Sequence, residues 1–361
     1  MIAFSLEQRA SRVVFGVGTL EHMSDELDRA GIKRALVLST AAQRADAQAL
    51  SDRLGGRTCG IFGDARMHTP VETTLQAVRF AQENGADGLV AVGGGSTTGL
   101  AKAVSIRTGL PQIVAPTTYA GSEMTPILGE TSDGQKRTRS DPRIQPAIVI
   151  YDVALTLTLP TAASVVSGFN AIAHAVEALY AKDRNPLTDT MAVEGISAFA
   201  RALPRIVRDG ADLEARGEAL YGAWLCGSCL GAVGMALHHK LCHVLGGLFD
   251  LPHAEMHTII LPHALAYNAP AVPNAMAAVA RALQVSDGAA GLWNLSRDLG
   301  AKTALKDIGF PVARFDEAVT SALERPYWNP REITEAGIRD LLHRAVFGIA
   351  PTPADVESEK R

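Results

Sequence analysis

The chain has 361 residues, of which 47% are hydrophobic and 20% charged, and its formal net charge at pH 7 is -4. This length predicts two domains. The acidic balance and the 5% aromatic content argue against a nucleic-acid partner, which needs a basic surface or a base-stacking platform. The sequence has no run of about 18 apolar residues and no signal-peptide pattern at its start, so we expect a cytoplasmic protein without a membrane span.

Four cysteines in a chain of this length fit a reducing compartment. Cys226 and Cys229 form a Cys-x-x-Cys pair in a segment with helical spacing. A redox or zinc site would need a β-α-β context or a second cysteine pair, and the sequence provides neither. We therefore interpret the pair as small side chains packed in a helix.

The first 150 residues alternate short apolar runs with helical patterns. Strand-like runs lie at residues 35–39, 59–62, 88–92, 112–116 and 147–152, and helical segments lie at 42–54 and 71–85. This alternation predicts a parallel sheet covered by helices on both faces. The polar stretch 131–143 is expected to form a hairpin or loop before the last strand.

After residue 160 the pattern changes to helical periodicity, and no convincing strand is found. The helical segments lie at residues 162–181, 187–207, 213–246 and 337–348. We therefore predict an α/β domain at residues 1–158 and an all-helical domain at 159–361.

A glycine-rich turn follows the third predicted strand, in "GLVAVGGGSTTGLAKAV" (88–104). Gly94, Gly95 and Ser96 lie where the strand passes into a helix, so the backbone can approach a phosphate and helical N–H groups can bind it. The spacing is neither G-x-G-x-x-G nor a P-loop. A tight strand-to-helix turn without a ligand is the alternative interpretation.

A second polar loop, "APTTYAGSEMTP" (115–126), follows the next strand and contains Thr117, Thr118 and Thr125. Open α/β sheets bind ligands at the carboxyl ends of their strands, so two such loops favour a Rossmann-like dinucleotide-binding domain. NAD-selective sites often have an acidic residue after an early strand. Thr40 stands there instead and offers no carboxylate to repel a 2′-phosphate, so NADH and NADPH both remain possible.

Three helical segments each carry two polar residues four positions apart: Asn170 and His174, His239 and His243, and His253 and His257. Residues four apart share a helix face, so these side chains can converge on one point. We expect Gly246 and Gly247 to end the second of these helices.

A metal site of imidazoles would normally include one carboxylate, and Asn170 stands where that carboxylate is expected. Three neutral imidazoles can also hold zinc, so Asn170 alone does not exclude a metal. Glu177 could substitute as a ligand, although contacts at the helix surface, or a supporting contact to one of the ligands, suit it better. His238 and His263 are interpreted as structural residues.

The GGGS turn, the loop PTTYAGSE and the ordered set Asn170, His174, His239 and His253, with His243 between them, resemble the iron-containing (group III) alcohol dehydrogenase superfamily. The resemblance covers nearly the whole chain. It implies the dehydroquinate synthase-like fold, with an α/β N-terminal Rossmann-like domain, an all-α C-terminal domain and an active site in the cleft between them. It also implies that the usual metal ligands, one Asp and three His, map onto Asn170, His174, His239 and His253.

Three departures from the usual pattern resemble the maleylacetate reductase branch of this superfamily. They are Gly99 in place of an Asp, the PTTYAGSE loop, and Asn170 in place of the metal-binding Asp. The resemblance implies reduction of the carbon–carbon double bond of maleylacetate to 3-oxoadipate by NADH or NADPH, in bacterial breakdown of resorcinol-type and other aromatic compounds. It further implies activity without added metal and a homodimer.

For this chemistry we predict that His243 polarises the substrate ketone and helps to protonate the product. His174, His239 and His253 are expected to surround it as catalytic and substrate-binding groups, with Asn170 also contacting the substrate. The imidazoles would then supply the positive charge that a metal supplies in relatives.

The sequence offers several basic residues that could bind the carboxylates of a dicarboxylate substrate. Candidates are Lys240, and Arg325 and Arg331 of "RPYWNPR" (325–331), with a solvated surface loop as the alternative. Lys136, Arg137 and Arg139 could approach cofactor phosphates, although a solvent-facing charge run is the simpler interpretation.

Three other functions remain open at this stage. A metal-dependent alcohol or aldehyde dehydrogenase of the same fold would lose activity on chelation. A dehydroquinate-synthase-like lyase would return its NAD unchanged. A non-catalytic nucleotide-binding protein would have no need of converging histidines.

Overall fold

The five apolar runs of the N-terminal half form, together with one edge strand, a six-stranded sheet in the computed structural model of the protein. The structure describes Phe4 and residues 11–132, 135–324 and 327–351, except the side chains of residues 135 and 136. The chain divides into two compact units, and the division falls between Leu159 and Pro160. The sequence placed this boundary between residues 158 and 159.

The N-terminal unit contains eight strands among the described residues: β1 (Arg12–Gly16), β2 (Ala35–Leu38), β3 (Thr58–Phe62), β4 (Gly88–Gly93), β5 (Gln112–Pro116), β6 (Ile127–Ser132), β7 (Gln135–Ser140) and β8 (Ile148–Asp152). The main sheet has the order β1-β8-β5-β4-β2-β3, and all its strand pairs are parallel. The predicted parallel sheet is thus confirmed. β6 and β7 form an antiparallel hairpin that overlaps the stretch 131–143, expected to be a hairpin or loop, but starts earlier, at Ile127.

Strand β1 was not predicted, because it lies at the edge of the sheet and is only partly buried. Its sequence RVVFG therefore lacks the continuous apolar run that marks a central parallel strand. The neighbouring strand β8 is buried along its whole length, and its apolar run was recognised.

The helices of this unit cover both faces of the sheet: α1 (Met23–Arg29), α2 (Arg44–Leu54), α3 (Val71–Glu83) and α4 (Gly95–Thr108). Successive residues of β4 point to opposite faces. Val90 packs with Leu27 and Leu50 on one side of the sheet, and Leu89 packs with Leu100 on the other. Burial on both faces explains why these strands read as unbroken apolar runs.

The strand order places a topological switch point between β2 and β4. From β2 the chain runs outward to β3, and it then returns to β4 on the other side of β2. In open α/β sheets the crevice at such a point, beyond the carboxyl ends of the strands, is where ligands bind. The loops that begin near Thr40 and Gly94 both leave the sheet there.

The C-terminal unit consists of helices, and its described residues contain no β-strand. The helices are α5 (Thr161–Ala178), α6 (Pro186–Arg208), α7 (Leu213–Ala232), α8 (Leu237–Phe249), α9 (His253–Asn268), α10 (Pro273–Leu283), α11 (Gly288–Asp298), α12 (Phe315–Leu323) and α13 (Glu335–Phe347). Residues 167–178 of α5 are all buried, which is typical of a central helix that is covered on every side. α5 packs against α6, α7 and α9.

The prediction that Gly246 and Gly247 end a helix is wrong. α8 continues through both glycines to Phe249, and the chain leaves the helix at Asp250, which has φ 50° and ψ 39°. Asp tolerates this left-handed conformation better than most residues, and the next residue, Leu251, is buried in the core. The helix therefore ends where the chain turns into the core and not at its first glycine.

The long segment 213–246 also forms two helices instead of one. α7 and α8 are separated by a break at residues 233–236 and are bent by 92° relative to each other. No single helix in the described part of the chain is long and apolar enough to cross a membrane, and α7 and α8 reach that length only as this bent pair.

Cys226 and Cys229 lie in α7, are buried and form no disulfide. Burial raises the pKa of Cys229 to about 12 and also raises that of Cys226. A Cβ added at Gly195 of α6 would lie 2.7 Å from Sγ of Cys226, so the two helices approach closely here. This arrangement supports the interpretation of the pair as packed small side chains.

Candidate functional site

The glycine turn of the N-terminal unit has the geometry of a phosphate-binding loop. β4 ends at Gly93, Gly94 is the N-cap of α4, and the helix begins at Gly95. A Cβ at Gly94 would lie 2.9 Å from Cγ2 of Thr118, so this position has room only for glycine. Because no side chain caps α4, the N–H groups of its first turn, including those of Gly95 and Ser96, remain suited to oxygen atoms of an anionic ligand.

The position at which the sequence departs from the usual Asp is filled by a neighbouring side chain. A Cβ at Gly99 would lie 2.5 Å from Oγ1 of Thr69. Thr69 itself is buried. A residue larger than glycine at position 99 would therefore have to displace Thr69.

A hydrogen-bonded chain links the loops that follow three neighbouring strands. Nε2 of Gln43 donates to Oγ1 of Thr117 at 2.8 Å, and the Thr40 hydroxyl donates to Oε1 of Gln43 at 3.1 Å. The Thr117 N–H donates to the carbonyl oxygen of Gly93 at 3.1 Å. Sequence reasoning identified Thr40 and Thr117 but missed Gln43, whose only signal was a polar side chain three residues after Thr40.

Thr125 and Lys102 hold the second loop together. Thr125 is buried, and its hydroxyl accepts a hydrogen bond of 3.0 Å from Nζ of Lys102. Lys102 also donates to the carbonyl oxygens of Ser122 and Ile127, and burial lowers its pKa to about 7. The structure thus places the Thr125 side chain in the interior of the loop, against the helix that follows the glycine turn.

These features fit a dinucleotide. The glycine turn lies at the switch point of a parallel sheet, which is where such cofactors bind. The uncapped N-terminus of α4 and the polar loops after β2, β4 and β5 lie there too. Gly94, Gly95, Ser96, Thr117, Thr118 and Thr40 would hold the cofactor there. Thr125 would act by supporting the loop.

The helical unit brings the predicted histidines together from α5, α8 and α9. The ring centroids of His174 and His239 lie 5.2 Å apart, and those of His239 and His243 lie 6.3 Å apart. On α9 the centroids of His253 and His257 are separated by 4.2 Å, and His257 lies 5.1 Å from His239. His239 is therefore at the centre of the cluster. Asn170 is buried one turn before His174.

Glu177 orients the central histidine. Its carboxylate is fully buried and accepts hydrogen bonds from the backbone N–H groups of Ala236 (3.0 Å) and His238 (2.8 Å) and from Nδ1 of His239 (2.7 Å). The first two bonds cap the N-terminus of α8, where the helix dipole favours an anion. Because Nδ1 of His239 faces Glu177, its buried Nε2 points away and has no hydrogen-bond partner among the described residues.

The sequence interpretation of Glu177 was therefore half right. A position on the helix surface is excluded by complete burial, whereas the expected supporting contact to a histidine of the cluster is present. A carboxylate that holds a histidine through its other ring nitrogen is the usual way in which a functional imidazole is oriented.

The histidines of the cluster are buried to different extents, which affects their protonation. The pKa of His174 lies well below its usual value, because of burial and then of the neighbouring His239 and His253. His174 is therefore neutral at neutral pH and cannot carry the positive charge expected of this cluster. His243 is exposed and His253 is half-buried, so proton exchange with solvent is easiest at these two.

The positions onto which the usual metal ligands map do not form a compact group of His, Cys, Asp or Glu ligand atoms. In the described part of the chain, one group of three His, Cys, Asp or Glu residues has its ligand atoms within 4.8 Å of one another, and it consists of His238, Cys242 and His257. Asn170 contributes an amide where a carboxylate would favour the ion. With an amide in place of a carboxylate, the set Asn170, His174, His239 and His253 would hold a divalent metal less tightly than the usual one Asp and three His.

The His238 group is better explained by hydrogen bonding. Nε2 of His238 lies 3.0 Å from Nδ1 of His257, and Sγ of Cys242 lies 3.8 Å from the same Nε2. A metal-bound histidine normally donates its other ring N–H to an acceptor. Nδ1 of His238 and Nε2 of His257 have no such partner among the described residues. Both histidines are buried and pack edge-on against His239, which fits the interpretation of His238 as a structural residue; His257 was instead expected among the converging imidazoles.

The basic residues considered for binding the substrate carboxylates or the cofactor phosphates lie in different surroundings. Nζ of Lys240 donates to the carbonyl oxygen of Glu324 at 3.0 Å and lies 5.3 Å from the ring centroid of Tyr327. Arg331 donates from Nη1 to the carbonyl oxygen of Tyr267 at 2.8 Å. Arg325 lies outside the described residues, as does the side chain of Lys136. Arg137 and Arg139 are exposed on β7, and Arg139 pairs with Glu130 at 3.1 Å, as expected for a solvent-facing charge run.

Comparison with known proteins identifies the family of this chain. The model of the iron-containing alcohol dehydrogenase family matches residues 10–153, and that of its C-terminal domain matches residues 164–346. The chain is 54% identical to a maleylacetate reductase of Sphingobium indicum, over 95% of this chain and 97% of that protein. It is 53% identical to a maleylacetate reductase of Burkholderia cepacia, over 98% of this chain and 100% of that one.

A solved structure has the same architecture. The crystal structure of maleylacetate reductase from Agrobacterium tumefaciens superimposes with a TM-score of 0.94 at 52% identity, covering 97% of this chain and 100% of that one. The predicted combination of an α/β domain and a helical domain of this fold is confirmed. The chain belongs to the iron-containing alcohol dehydrogenase family, in the branch formed by the maleylacetate reductases.

Proposed function

We propose that the protein uses NADH or NADPH to reduce the carbon–carbon double bond of maleylacetate, giving 3-oxoadipate, in the bacterial degradation of aromatic compounds. The observation that carries this proposal is the histidine cluster around His239 with Asn170 beside it, in a chain 54% identical to a maleylacetate reductase over 95% of its length. The cluster offers hydrogen-bond donors to a carbonyl oxygen without a carboxylate that would favour a metal.

The reaction converts an enone into a saturated ketone. When bound, the reduced nicotinamide supplies a hydride to the alkene carbon remote from the ketone. The electron pair of the double bond then moves toward the ketone oxygen as an enolate, and the carbon next to the ketone takes a proton. One hydride and one proton are added to maleylacetate, and the product, 3-oxoadipate, keeps the same carbon skeleton.

The residues of the cluster can supply what this enolate needs. Preorganised donors aimed at developing negative charge are commonly the largest catalytic contribution. We assign polarisation of the ketone and protonation of the product to His243, which is exposed and can exchange its proton with water. His239, held by Glu177, and His253 line the same site, and neutral His174 and Asn170 complete the contacts with the substrate.

We further propose that the reaction needs no metal. The amide of Asn170 supports this, because it lacks the negative charge with which a carboxylate would help to hold a cation. One or two protonated imidazoles of the cluster would supply the positive field, and His174 is not among them, since burial keeps it neutral. The substrate is a dianion, so positively charged imidazoles would also favour its binding.

One experiment tests both statements. Purified protein is mixed with maleylacetate and NADH, or NADPH, and the absorbance of the reduced nicotinamide is followed before and after exhaustive chelation. We expect equal rates in both samples. No loss of absorbance in untreated protein would refute the reductase function, whereas activity that disappears on chelation and returns with a divalent metal would refute the metal-free version.

A metal-dependent alcohol or aldehyde dehydrogenase is the second candidate, favoured by the family to which the chain belongs. Oxidation of simple alcohols by NAD that requires added iron or zinc would establish it.

We also propose that the protein is a homodimer with no nucleic-acid or membrane partner. Light scattering after size exclusion distinguishes the dimer from the 38.1 kDa monomer.

A further inference from the structure

A small cavity in the helical unit lies beside the residue that follows His239. Its volume is about 290 Å³, and its lining residues are Leu323, Tyr327, Asn329, Arg331, Glu332 and Ile333. Sites for small molecules typically have volumes of about 300–1,000 Å³, with mostly apolar walls and a few convergent polar groups. The size and the mixed lining therefore suit a compact polar ligand.

Two donors of this cavity have unused hydrogen-bonding capacity. The Tyr327 hydroxyl is buried and has no hydrogen-bond partner among the described residues. Arg331 uses Nη1 for the carbonyl oxygen of Tyr267, and its guanidinium stacks 4.7 Å from the Tyr267 ring centroid. Its other N–H groups have no partner in the described part of the chain. A buried tyrosine hydroxyl normally finds a partner, and the planar fork of arginine matches a carboxylate.

The charge around the cavity favours an anion. Nζ of Lys240 lies 5.3 Å from the Tyr327 ring centroid, and Arg331 adds a second positive charge. The one carboxylate in the lining belongs to Glu332, whose side chain is exposed. Lys240 lies outside the lining and is opposed by the negative charge of Glu177, which also acts on Tyr327, so the attraction for an anion rests on the Arg331 guanidinium.

Hydrogen bonds connect residues 329–332 of the cavity lining to the end of α9. Asn329 and Asn268 exchange amide hydrogen bonds of 2.7 and 3.0 Å, and Nδ2 of Asn329 also donates to the carbonyl oxygen of Arg331 at 2.7 Å. The Tyr267 hydroxyl donates to the carbonyl oxygen of Glu332 at 2.5 Å. Tyr267 and Asn268 end α9, the helix that begins at His253. These bonds fix the backbone at Arg331 and Glu332 to the C-terminal end of α9, and Lys240, the residue after His239, connects the cavity to the histidine cluster.

We propose that this cavity binds one of the two carboxylates of the dianionic substrate, with the Tyr327 hydroxyl and the Arg331 guanidinium as donors. The proposal rests on the proposed function and adds specificity to it. A substrate with a carboxylate at each end would be held at one end here, while its enone faces the histidines. Enones without that carboxylate would be bound weakly.

The test variant is Tyr327→Phe, because it removes a hydroxyl that has no partner among the described residues and should leave the fold intact. The matched control is Tyr221→Phe on α7, outside the cavity. A hydrogen bond to a charged group corresponds to about tenfold or more in binding. We therefore expect Tyr327→Phe to raise the KM for maleylacetate about tenfold or more, to leave the KM for NADH unchanged, and Tyr221→Phe to alter neither.

A binding measurement without turnover separates this proposal from the proposed function. Adipate, a saturated six-carbon dicarboxylate, is titrated into both variants and the unmodified protein by calorimetry. We expect adipate to bind about tenfold more weakly to Tyr327→Phe only, and to inhibit competitively with maleylacetate. Unchanged KM and adipate affinity in Tyr327→Phe, equal changes in the control, or non-competitive inhibition would each overturn the site. If the protein binds adipate as expected but does not reduce maleylacetate, the proposed function fails instead.

Discussion

Nδ1 of His239 lies 2.7 Å from Oε2 of Glu177, and both side chains are buried. This contact connects α5 to the first turn of α8 and sets the direction in which the other nitrogen of His239 points. The same carboxylate caps α8 through the N–H groups of Ala236 and His238. One buried acid thus couples the start of a helix to the orientation of the central histidine.

Replacing Glu177 by Gln should lower kcat about 10- to 100-fold, the usual effect of losing the group that orients a functional histidine. Gln keeps the size of the side chain, but its NH₂ group would face N–H donors and leave one of them unsatisfied. The free energy of unfolding should therefore also fall by about 1–3 kcal/mol. Steady-state kinetics and urea unfolding measure the two effects.

A double-mutant cycle with His239→Ala separates orientation from stability. If Glu177 acts on kcat through His239, adding Glu177→Gln to His239→Ala should change kcat little further. Equal losses of kcat in the presence and absence of His239 would contradict the coupling.

His243→Asn tests the assigned proton donor. General acid–base groups typically contribute about 100-fold or more to the rate, so kcat should fall by that order, with the KM for NADH unchanged. His343→Asn is the control, because His343 is an exposed histidine on α13, next to Phe347. A loss of less than a few-fold in His243→Asn would move the role to another histidine of the cluster.

Gly94→Ala tests the phosphate-binding turn. The added methyl group would lie 2.9 Å from Thr118, and relief of such overpacking usually costs about 1–3 kcal/mol. We expect a lower free energy of unfolding and weaker NADH binding, measured by unfolding and by nicotinamide fluorescence.

Gly95→Ala provides the contrast for this turn. Its methyl group would meet Ala120 at 3.7 Å, an ordinary van der Waals distance, so the fold should be as stable as that of the unmodified protein. A Gly94→Ala protein that is as stable as Gly95→Ala and binds NADH equally well would show that the turn has more room than the structure indicates.

Thr40→Asp tests the choice between the two nicotinamide cofactors. An acidic residue at this strand end is expected to accept the ribose hydroxyls of NADH and to repel the 2′-phosphate of NADPH. The ratio of kcat/KM for NADPH to that for NADH should fall about tenfold or more. Thr40→Asn has the same shape without the charge and should leave the ratio nearly unchanged. An equal fall in both variants would assign the effect to the hydrogen bond with Gln43 and not to charge.

The buried His263 predicts acid sensitivity of the helical unit. Burial lowers its pKa to about 3, whereas in the unfolded chain it takes up a proton at about pH 6.5. Below pH 6.5 the unfolded state therefore binds one proton more than the folded state, and stability falls by about 1.4 kcal/mol per pH unit from this residue. The loss ends near pH 3, where the folded state also binds the proton.

Urea unfolding between pH 7 and pH 5 measures this slope. In His263→Gln the fall in unfolding free energy between pH 7 and pH 5 should be smaller by about 2 kcal/mol in total, because the full slope is reached only about one unit below pH 6.5. This difference is expected whatever the variant's stability at pH 7. A slope equal to that of the unmodified protein would mean that His263 is already protonated in the folded state.

The spacing of residues along the sequence was sufficient to predict much of the fold. The unbroken apolar runs indicated central parallel strands, because a strand buried on both faces has no polar alternation. Pairs of polar residues four apart indicated which histidines share a helix face, and the glycine turn indicated the end of β4. These properties belong to single elements, so a single stretch of sequence carries them.

The remaining features depend on contacts between distant residues, which only the tertiary structure decides. Glu177 is separated from His239 by 62 positions, and nothing local distinguishes a buried helix cap from a surface acid. The edge position of β1, the bridge made by Gln43 and the passage of α8 through Gly246 likewise follow from what packs against them. Burial, which keeps His174 neutral and leaves His243 open to solvent, is a property of the assembled helices, because no single helix can remove its own side chains from water.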